Sequence, residues 1–372
     1  MTKICHISIL NPQRHSRLYY RWAKGNVEGG FEVVVVAQGK EEGLNKDGIK
    51  MVSSGSFHRL SLKRFLFSRS IRQQAKEIHA EIYVLHSPEL LSLGKWLKHE
   101  LGATIVYDVH EDFHKNLLYS PNYPGFLRKF LANYLRNMER KATAWLDGWV
   151  YAEDCYRDIL GRDSQKTHYF RNKFVLPLEP ESFEWPVQGP YALYTGTLAE
   201  EWGVMDSLEW WIQAFPILKI PLVLAGFDAN GRLVPRINKR VQDSGLGAYF
   251  YLVGGETYVP YAHIIQLIRG CSFGMALYHP LPQIKGKIPT KFYEYLALGK
   301  PLLYTKEGSW DNVNQKYKLG IPWDEGSQYS KERLNSVLQQ LMDWKEKEQE
   351  KVKFLSSGEW EALNNWLSEL NH

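Results

Sequence analysis

The chain is poor in cysteine: its 372 residues include only Cys5, Cys155 and Cys271. An odd number with no C-x-x-C pair excludes a disulfide-stapled scaffold and a zinc ribbon, and it points to reduced thiols in a cytoplasm. There is no run of about 18 apolar residues, which removes a spanning helix. The opening residues, MTKICHISIL, enter a strand-like segment without the apolar core and cleavage site of a secretory leader, so a cytoplasmic chain is expected. Low-complexity tracts are missing too. The G-x-x-x-x-G-K-[ST] and G-x-G-x-x-G loops are absent, which argues against a P-loop ATPase and the usual dinucleotide enzymes. No G-x-S-x-G supports a serine hydrolase.

What remains is an ordinary globular composition, 44% hydrophobic and 23% charged, with a mean hydropathy of −0.38 and a length of about two domains at roughly 100–200 residues each. The net charge of +5 is uneven. Residues 1–170 carry 25 Lys and Arg against 18 Asp and Glu, or +7, whereas 171–372 carry 21 against 23, or −2. A basic front half suits an anionic membrane surface, a nucleic acid or an anionic substrate.

Short β-branched runs alternate with amphipathic stretches at 3–10, 31–37, 82–86, 104–109 and 148–152, the rhythm of βαβ units around a parallel sheet buried on both faces. The rhythm breaks in the proline-rich, aperiodic stretch 171–190 and restarts at 191–195, 221–227, 249–253, 273–277 and 301–305. The expected architecture is α/β: two tandem Rossmann-like, doubly wound parallel-sheet domains with a ligand cleft between them, since ligands bind beyond the carboxyl ends of parallel strands. The reading gives a first domain over 1–170, a linker over 171–190 and a second domain over 191–350. A helix over 351–372 carries the stripe Trp360, Leu363, Trp366 and Leu367, which suits docking back toward the first domain.

The segment KIPTKFYEYLALGKPLLYT (287–305) carries the most chemistry. Pro289 and Thr290 precede a helix that Gly299 ends, and Pro301 opens the next strand. A helix amino terminus favours an anion, and Lys291 adds a positive charge in the first turn, where the dipole alone disfavours it. Glu294 shares its face three residues on, so a carboxylate for ribose hydroxyls stands beside an ammonium for a diphosphate. An ordinary surface Lys/Glu pair has the same spacing. The pattern P-x-K-x-x-E-x-x-A-x-G-x-P, filled by Pro289, Lys291, Glu294, Ala297, Gly299 and Pro301, resembles the signature of the family 4-like glycosyltransferases of the GT-B fold (glycosyltransferase group 1). YALYTGTLAEEWGV (191–204) is similar to that family's first strand and glycine turn, with Gly196 and Gly203 in place. Members with the fuller pattern have an arginine and a lysine where this chain has Thr197 and Trp202. The resemblance then leaves the phosphate charge to Lys291, Lys285, Lys287 and the amides near Gly196 and Thr197. A second glutamate of the family falls at Gly286, so its sugar contact does not transfer.

In YDVHEDFHKN (107–116), Asp108, His110, Glu111, Asp112 and His114 cluster after a strand. A metal site, a hydrogen-bonded turn and an acceptor or sugar site all suit these residue types. The segment is similar to a strand-end histidine of the family that faces the transferred sugar, which singles out His110 and Glu111, with Asp112 in reserve and His86 as a weaker case. The resemblance implies transfer of a hexose from a UDP- or GDP-sugar, bound by the nucleotide-sugar-binding domain 191–350, to an acceptor on the acceptor-side domain 1–170. The basic helices of the front half suggest a saccharide or lipid-linked acceptor in cell-envelope or exopolysaccharide synthesis. Neither cofactor nor metal is expected, because the D-x-D of the other large glycosyltransferase fold is absent and the nucleotide sugar is a substrate. A nucleotide-sugar epimerase on the same plan and a non-catalytic scaffold are the alternatives. The basic segments 58–76 and 126–141 pair lysines and arginines with an apolar stripe, Phe126, Leu127, Phe130, Leu131, Tyr134, Leu135 and Met138 in the second. They suit either a core-packed helix with a wet basic face or a peripheral contact with the inner face of an anionic membrane; no nucleic-acid motif accompanies them.

Overall fold

The computed structural model describes residues 1–55, 63–119, 124–161, 165–175, 183–279, 281–282, 284–324, 329–344 and 354–371. It divides into two compact units, Met1–Val175 with Ser356–His372, and Leu176–Leu355.

The first unit is built on β1 (Lys3–Pro12), β2 (Glu32–Gln38), β3 (Gly43–Leu44), β4 (Ile49–Ser53), β5 (Ile82–Leu85), β6 (Thr104–Val109), β7 (Gly148–Tyr151) and β8 (Thr167–Tyr169). They form one eight-stranded sheet in the order β3-β4-β2-β1-β5-β6-β7-β8. Every pair is parallel except β3 with β4. Because side chains alternate along a strand, Cys5, Ile7, Val34 and Val36 enter one core, and Ile4, Val33, Val35, Val84 and Val106 enter the other. Both faces are therefore apolar, which is why these strands read as unbroken β-branched runs.

The helix Ser357–Leu370 closes the second of these cores with Trp360, Leu363 and Leu367. Its seat is made by two glycines one helical turn apart. A Cβ at Gly25 would lie 2.5 Å from the Trp360 ring, and one at Gly29 would lie 2.2 Å from the Asn364 side chain. Each fully buried side chain of this size contributes roughly 1.5–3 kcal/mol, so the helix is anchored by its apolar face. Residues 171–175, assigned to the linker by composition, belong to this unit instead. The Lys173 carbonyl accepts from Arg21 Nε at 2.5 Å and from Ser356 Oγ at 2.8 Å, and the Lys173 ammonium pairs with Glu359 at 2.9 Å.

The second unit holds β9 (Ala192–Thr197), β10 (Leu222–Phe227), β11 (Phe250–Gly255), β12 (Phe273–Ala276), β13 (Leu302–Thr305) and β14 (Gly320–Trp323). The sheet is parallel throughout, in the order β11-β10-β9-β12-β13-β14. Numbered within the unit this is 3-2-1-4-5-6, the doubly wound order in which winding reverses between the first and fourth strands. Both sheets thus have a switch point: between β9 and β12 here, and between β1 and β5 in the first unit. Among the described residues, no helix is long and apolar enough to cross a membrane.

Candidate functional site

At the switch point of the second unit, the next-to-last residue of β9 is Gly196, whose φ of +112° suits a residue without a side chain. A Cβ there would lie 2.8 Å from Lys291 Cε and 2.9 Å from Nζ, so the glycine leaves the space that the lysine occupies. The helix Thr290–Ala297, entered through Pro289 with an extended ψ of 140°, carries Lys291 in its first turn. Its Nζ lies 4.5 Å from the Tyr194 ring centroid and 5.3 Å from that of Tyr278. Among the described residues the ammonium has no ion-pair partner. Burial pushes Lys291 down to about 7, although the nearby Glu294 carboxylate pulls the other way. An ammonium without an ion pair among the described residues, set beside the carboxyl end of a parallel strand, has the chemistry to accept an anion.

Glu294, one turn on, is buried, and its Oε1 accepts from the Tyr261 hydroxyl at 3.0 Å. Lys285 is exposed and lines a cavity of about 250 Å³ with Ile284, Glu307 and Trp310. Lys287 is half-buried, and its carbonyl accepts from Trp310 Nε1 at 2.7 Å, which ties down the loop before the helix. Thr197 is exposed at the end of β9, and its carbonyl accepts from the Tyr194 hydroxyl at 3.1 Å. Trp202 packs edge-on against Tyr278 with centroids 5.2 Å apart. The structure therefore gathers Gly196, Lys291 and Glu294, and walls the ammonium with Tyr194 and Tyr278.

The switch point of the first unit is polar and buried. Asp108, at the end of β6, has no exposed surface; Arg17 spans its carboxylate, with Nε to Oδ2 at 2.8 Å and Nη2 to Oδ1 at 2.5 Å. His86 Nδ1 lies 2.9 Å from Oδ2, and His110 Nδ1 lies 3.2 Å from the Asp108 carbonyl and 3.4 Å from Oδ2. Burial raises this carboxyl, but the Arg17 charge and the hydrogen bonds from Arg17, His110 and His86 outweigh it and hold Asp108 well below the usual carboxylate range. Nitrogen and oxygen atoms of His86, Asp108 and His110 lie within 4.8 Å of one another, a spacing that a metal ion would accept. They do not fit one. Arg17 already bridges both oxygens, and both ring nitrogens of His86 are engaged, by Asp108 and by His6.

The neighbouring candidates separate. Glu111 is half-buried and accepts from Asn116 Nδ2 at 2.7 Å. Asp112 caps the helix Phe113–Leu118, accepting from the Lys115 amide at 3.1 Å, and pairs with Arg136 at 2.7 Å. Those partners account for Asp112 as a structural carboxylate. His114 sits apart, 3.3 Å from Asn133 Oδ1.

Sequence reasoning missed Arg17, His6, His15 and Tyr261. His15 lies beside the same cluster: burial, then the charges of His110, Arg21, His86 and Arg17, lower it to about 3, and its Nδ1 is buried without a hydrogen bond among the described residues. The signal for Arg17 was its spacing from Arg21 in SRLYYRWA, two arginines on one face of an aromatic-rich segment after the first strand. Tyr261 has no such signal.

Neither a protein-family model nor a curated protein sequence matches the chain. In structure it is similar to sucrose-phosphate synthase from Thermosynechococcus elongatus, with a TM-score of 0.68 at 14% identity over 100% of this chain and 98% of that one. It is also similar to Anabaena HepE in complex with UDP and glucose, with a TM-score of 0.63 at 16% identity over 100% and 97%. A third likeness is to the lipopolysaccharide outer core galactosyltransferase WaaB, with a TM-score of 0.58 at 14% identity over 99% of each chain. At these identities the likeness is one of fold, and it runs the whole length.

Proposed function

We propose that this GT-B chain is a metal-independent glycosyltransferase that moves a hexose from a nucleotide-diphosphate sugar to a saccharide or lipid-linked acceptor. The observation that carries the reading is the second-unit switch point, where Gly196 admits the under-neutralised ammonium of Lys291 one helical turn from the carboxylate of Glu294. Lys291 takes the diphosphate, helped by the helix terminus that Pro289 and Thr290 open, by the turn at Gly196 and Thr197, and by Lys285 and Lys287. Glu294 takes the ribose hydroxyls. As the bond to the sugar breaks, charge builds on the diphosphate, and a cation held among aromatic rings stabilises it more than one in water would. Leaving-group charge is met by protein groups, so transfer is expected to continue in EDTA.

Acceptor chemistry is assigned to the first unit, to His110 and Glu111, with His86 and Asp108 behind His110. HepE has been solved with UDP-glucose, and UDP is accordingly the first nucleotide to try, ahead of GDP. A cytoplasmic, membrane-peripheral role in envelope polysaccharide synthesis rests on the helix Gly125–Ala142, where Phe126, Phe130 and Tyr134 are exposed beside exposed Lys129, Arg140 and Lys141. Arg136 is withdrawn from that surface by Asp112. Of the basic segment 58–76, residues 58–62 and the side chains of 63–69 lie outside the described residues, and Arg72 lies over the Trp96 ring at 5.6 Å.

A thermal-shift panel of UDP, GDP, ADP and their sugars tests the donor assignment. A ligand at about 100 times its Kd adds about 2.7 kcal/mol of stability. Stabilisation by one nucleotide series, lost in Glu294→Ala, is expected; a chain that none of them stabilises is not a transferase of this kind.

A further inference from the structure

We infer that His6 and His86 share one proton more than two neutral imidazoles carry, forming a buried cation that joins the C-terminal helix to Asp108. The inference concerns the first unit alone and does not depend on the transferase reading. It rests on a continuous polar chain. Asn364 Nδ2 donates to the Gly25 carbonyl at 2.9 Å, and Asn26 Nδ2 donates to Asn364 Oδ1 at 2.7 Å. Asn26 Oδ1 lies 2.8 Å from His6 Nε2, His6 Nδ1 lies 3.1 Å from His86 Nε2, and His86 Nδ1 lies 2.9 Å from Asp108 Oδ2. All of these residues are buried.

Both ends of the chain, a backbone carbonyl and a carboxylate, only accept. Five links lie between them, and each needs one proton. The four groups in the middle, Asn364, Asn26, His6 and His86, each supply one when neutral, because an amide or a neutral imidazole donates on one side and accepts on the other. The count is one short. With both rings neutral, His6 donates to Asn26 and His86 donates to Asp108, which leaves two nitrogen lone pairs facing each other at 3.1 Å. Turning Asn26 and Asn364 over moves the same conflict to Gly25, where two oxygens would then meet. A fifth proton between the rings satisfies every link.

Burial opposes this charge in both rings, pushing each imidazole toward its neutral form. The surroundings nevertheless suit it. Asp108 stands against His86, and the Trp22 ring packs against both imidazoles in T-shaped contacts, with centroids 5.5 Å from His6 and 6.0 Å from His86. The other charged or titratable groups facing the pair are Arg17, His110 and His15. Arg17 opposes the extra charge, but it also keeps Asp108 ionised, so the fifth proton stays on the imidazoles rather than on the carboxylate. Asn26 and Asn364 thereby act as positioning residues: they fix which nitrogen of His6 donates, and through His86 they hold the carboxylate that His110 touches.

The full chain with ¹⁵N-labelled histidine tests this through long-range ¹H–¹⁵N spectra at pH 8.5, about two units above the ordinary histidine value of about 6.5. The expected result is an imidazolium signature that persists when every exposed histidine is neutral, assigned to the pair by its loss in His6→Gln and His86→Gln. A spectrum in which all histidines are neutral overturns the inference. Asn364→Ala removes two links and lets Asn26 turn, so three links then need three protons and both rings become neutral. A signature that survives Asn364→Ala also overturns it; if that variant does not fold, the spectrum of the unmodified chain still decides between a charged and a neutral pair.

Discussion

Lys291 carries the most informative perturbation, because removing its charge is expected to act in opposite directions on stability and on binding. Burial lowers it from 10.5 to about 7, whereas in the unfolded chain it keeps its proton. Between these values the unfolded state binds more protons, so native stability rises with pH through this window and falls as pH drops toward 7. Replacing the lysine by methionine removes that burden. After allowance for the water that reaches a half-buried side chain, the ligand-free protein should gain on the order of 2–4 kcal/mol near pH 7. Binding should move the other way. UDP-glucose carries a diphosphate whose charge is fixed across this range, so only the protonated lysine suits it, and the apparent Kd divides by the fraction protonated. That fraction falls by roughly 50- to 100-fold between pH 6.5 and 9 at tenfold per pH unit, and the Kd should rise accordingly. Titration calorimetry at pH 8.5 in two buffers of different ionisation enthalpy should show nearly one proton taken up on binding. Lys291→Met should bind weakly with a flat pH profile and no proton uptake. A flat profile in the unmodified protein, or a methionine variant that binds as well, would refute the reasoning.

Glu294→Ala should cost about 2–4 kcal/mol, roughly 30- to 1000-fold in kcat/KM, with the fold intact by circular dichroism, because it removes the charge-assisted bonds to the ribose and, within the protein, the bond from Tyr261. Tyr261→Phe releases one hydrogen bond to that carboxylate and should cost about 0.5–1.5 kcal/mol, seen as a several-fold rise in donor KM; an unchanged KM would make the contact incidental. Arg17→Met strands the buried Asp108 carboxylate and should lower unfolding free energy by about 3–5 kcal/mol in urea titrations. A loss below about 1 kcal/mol would mean that Asp108 finds its neutralisation elsewhere. Phe130→Glu with Lys129→Glu should release the protein from anionic vesicles at low salt while leaving donor binding unchanged, since a cation near such a surface contributes about 1 kcal/mol. Unmodified protein that stays in the supernatant removes the membrane reading.

The strands legible in the sequence are those covered on both faces, where burial demands unbroken runs such as Val33–Val36. The strands that escaped notice are short or edge-bound. In β4, Lys50 and Val52 interrupt the buried positions Ile49 and Met51; β8 has three half-buried residues; and β14 contains Pro322, which an edge tolerates. The site divides in the same way. Lys291 and Glu294 were visible because they act across one helical turn, whereas Arg17 reaches Asp108 over 91 positions and Tyr261 reaches Glu294 over 33. In the basic helix, periodicity marks the apolar residues but not which of them are covered. Leu127, Leu131, Leu135 and Met138 are partly covered, while Phe126, Phe130 and Tyr134, one face round, are exposed.

The exchange of two expected cations for Thr197 and Trp202 looks from the sequence like a loss of phosphate-binding power. The structure gives it a different physical sense. Trp202 packs on Tyr278, Tyr278 and Tyr194 wall Lys291, and a charge so enclosed interacts through a lower effective dielectric than one in water. On the proposed reading, one enclosed ammonium near its titration point replaces some of the work of several hydrated ones, at the cost of a binding site that weakens as pH rises. Measured pH dependence at Lys291 consequently bears on both questions at once: whether the diphosphate binds there, and whether an aromatic enclosure compensates for the missing cations.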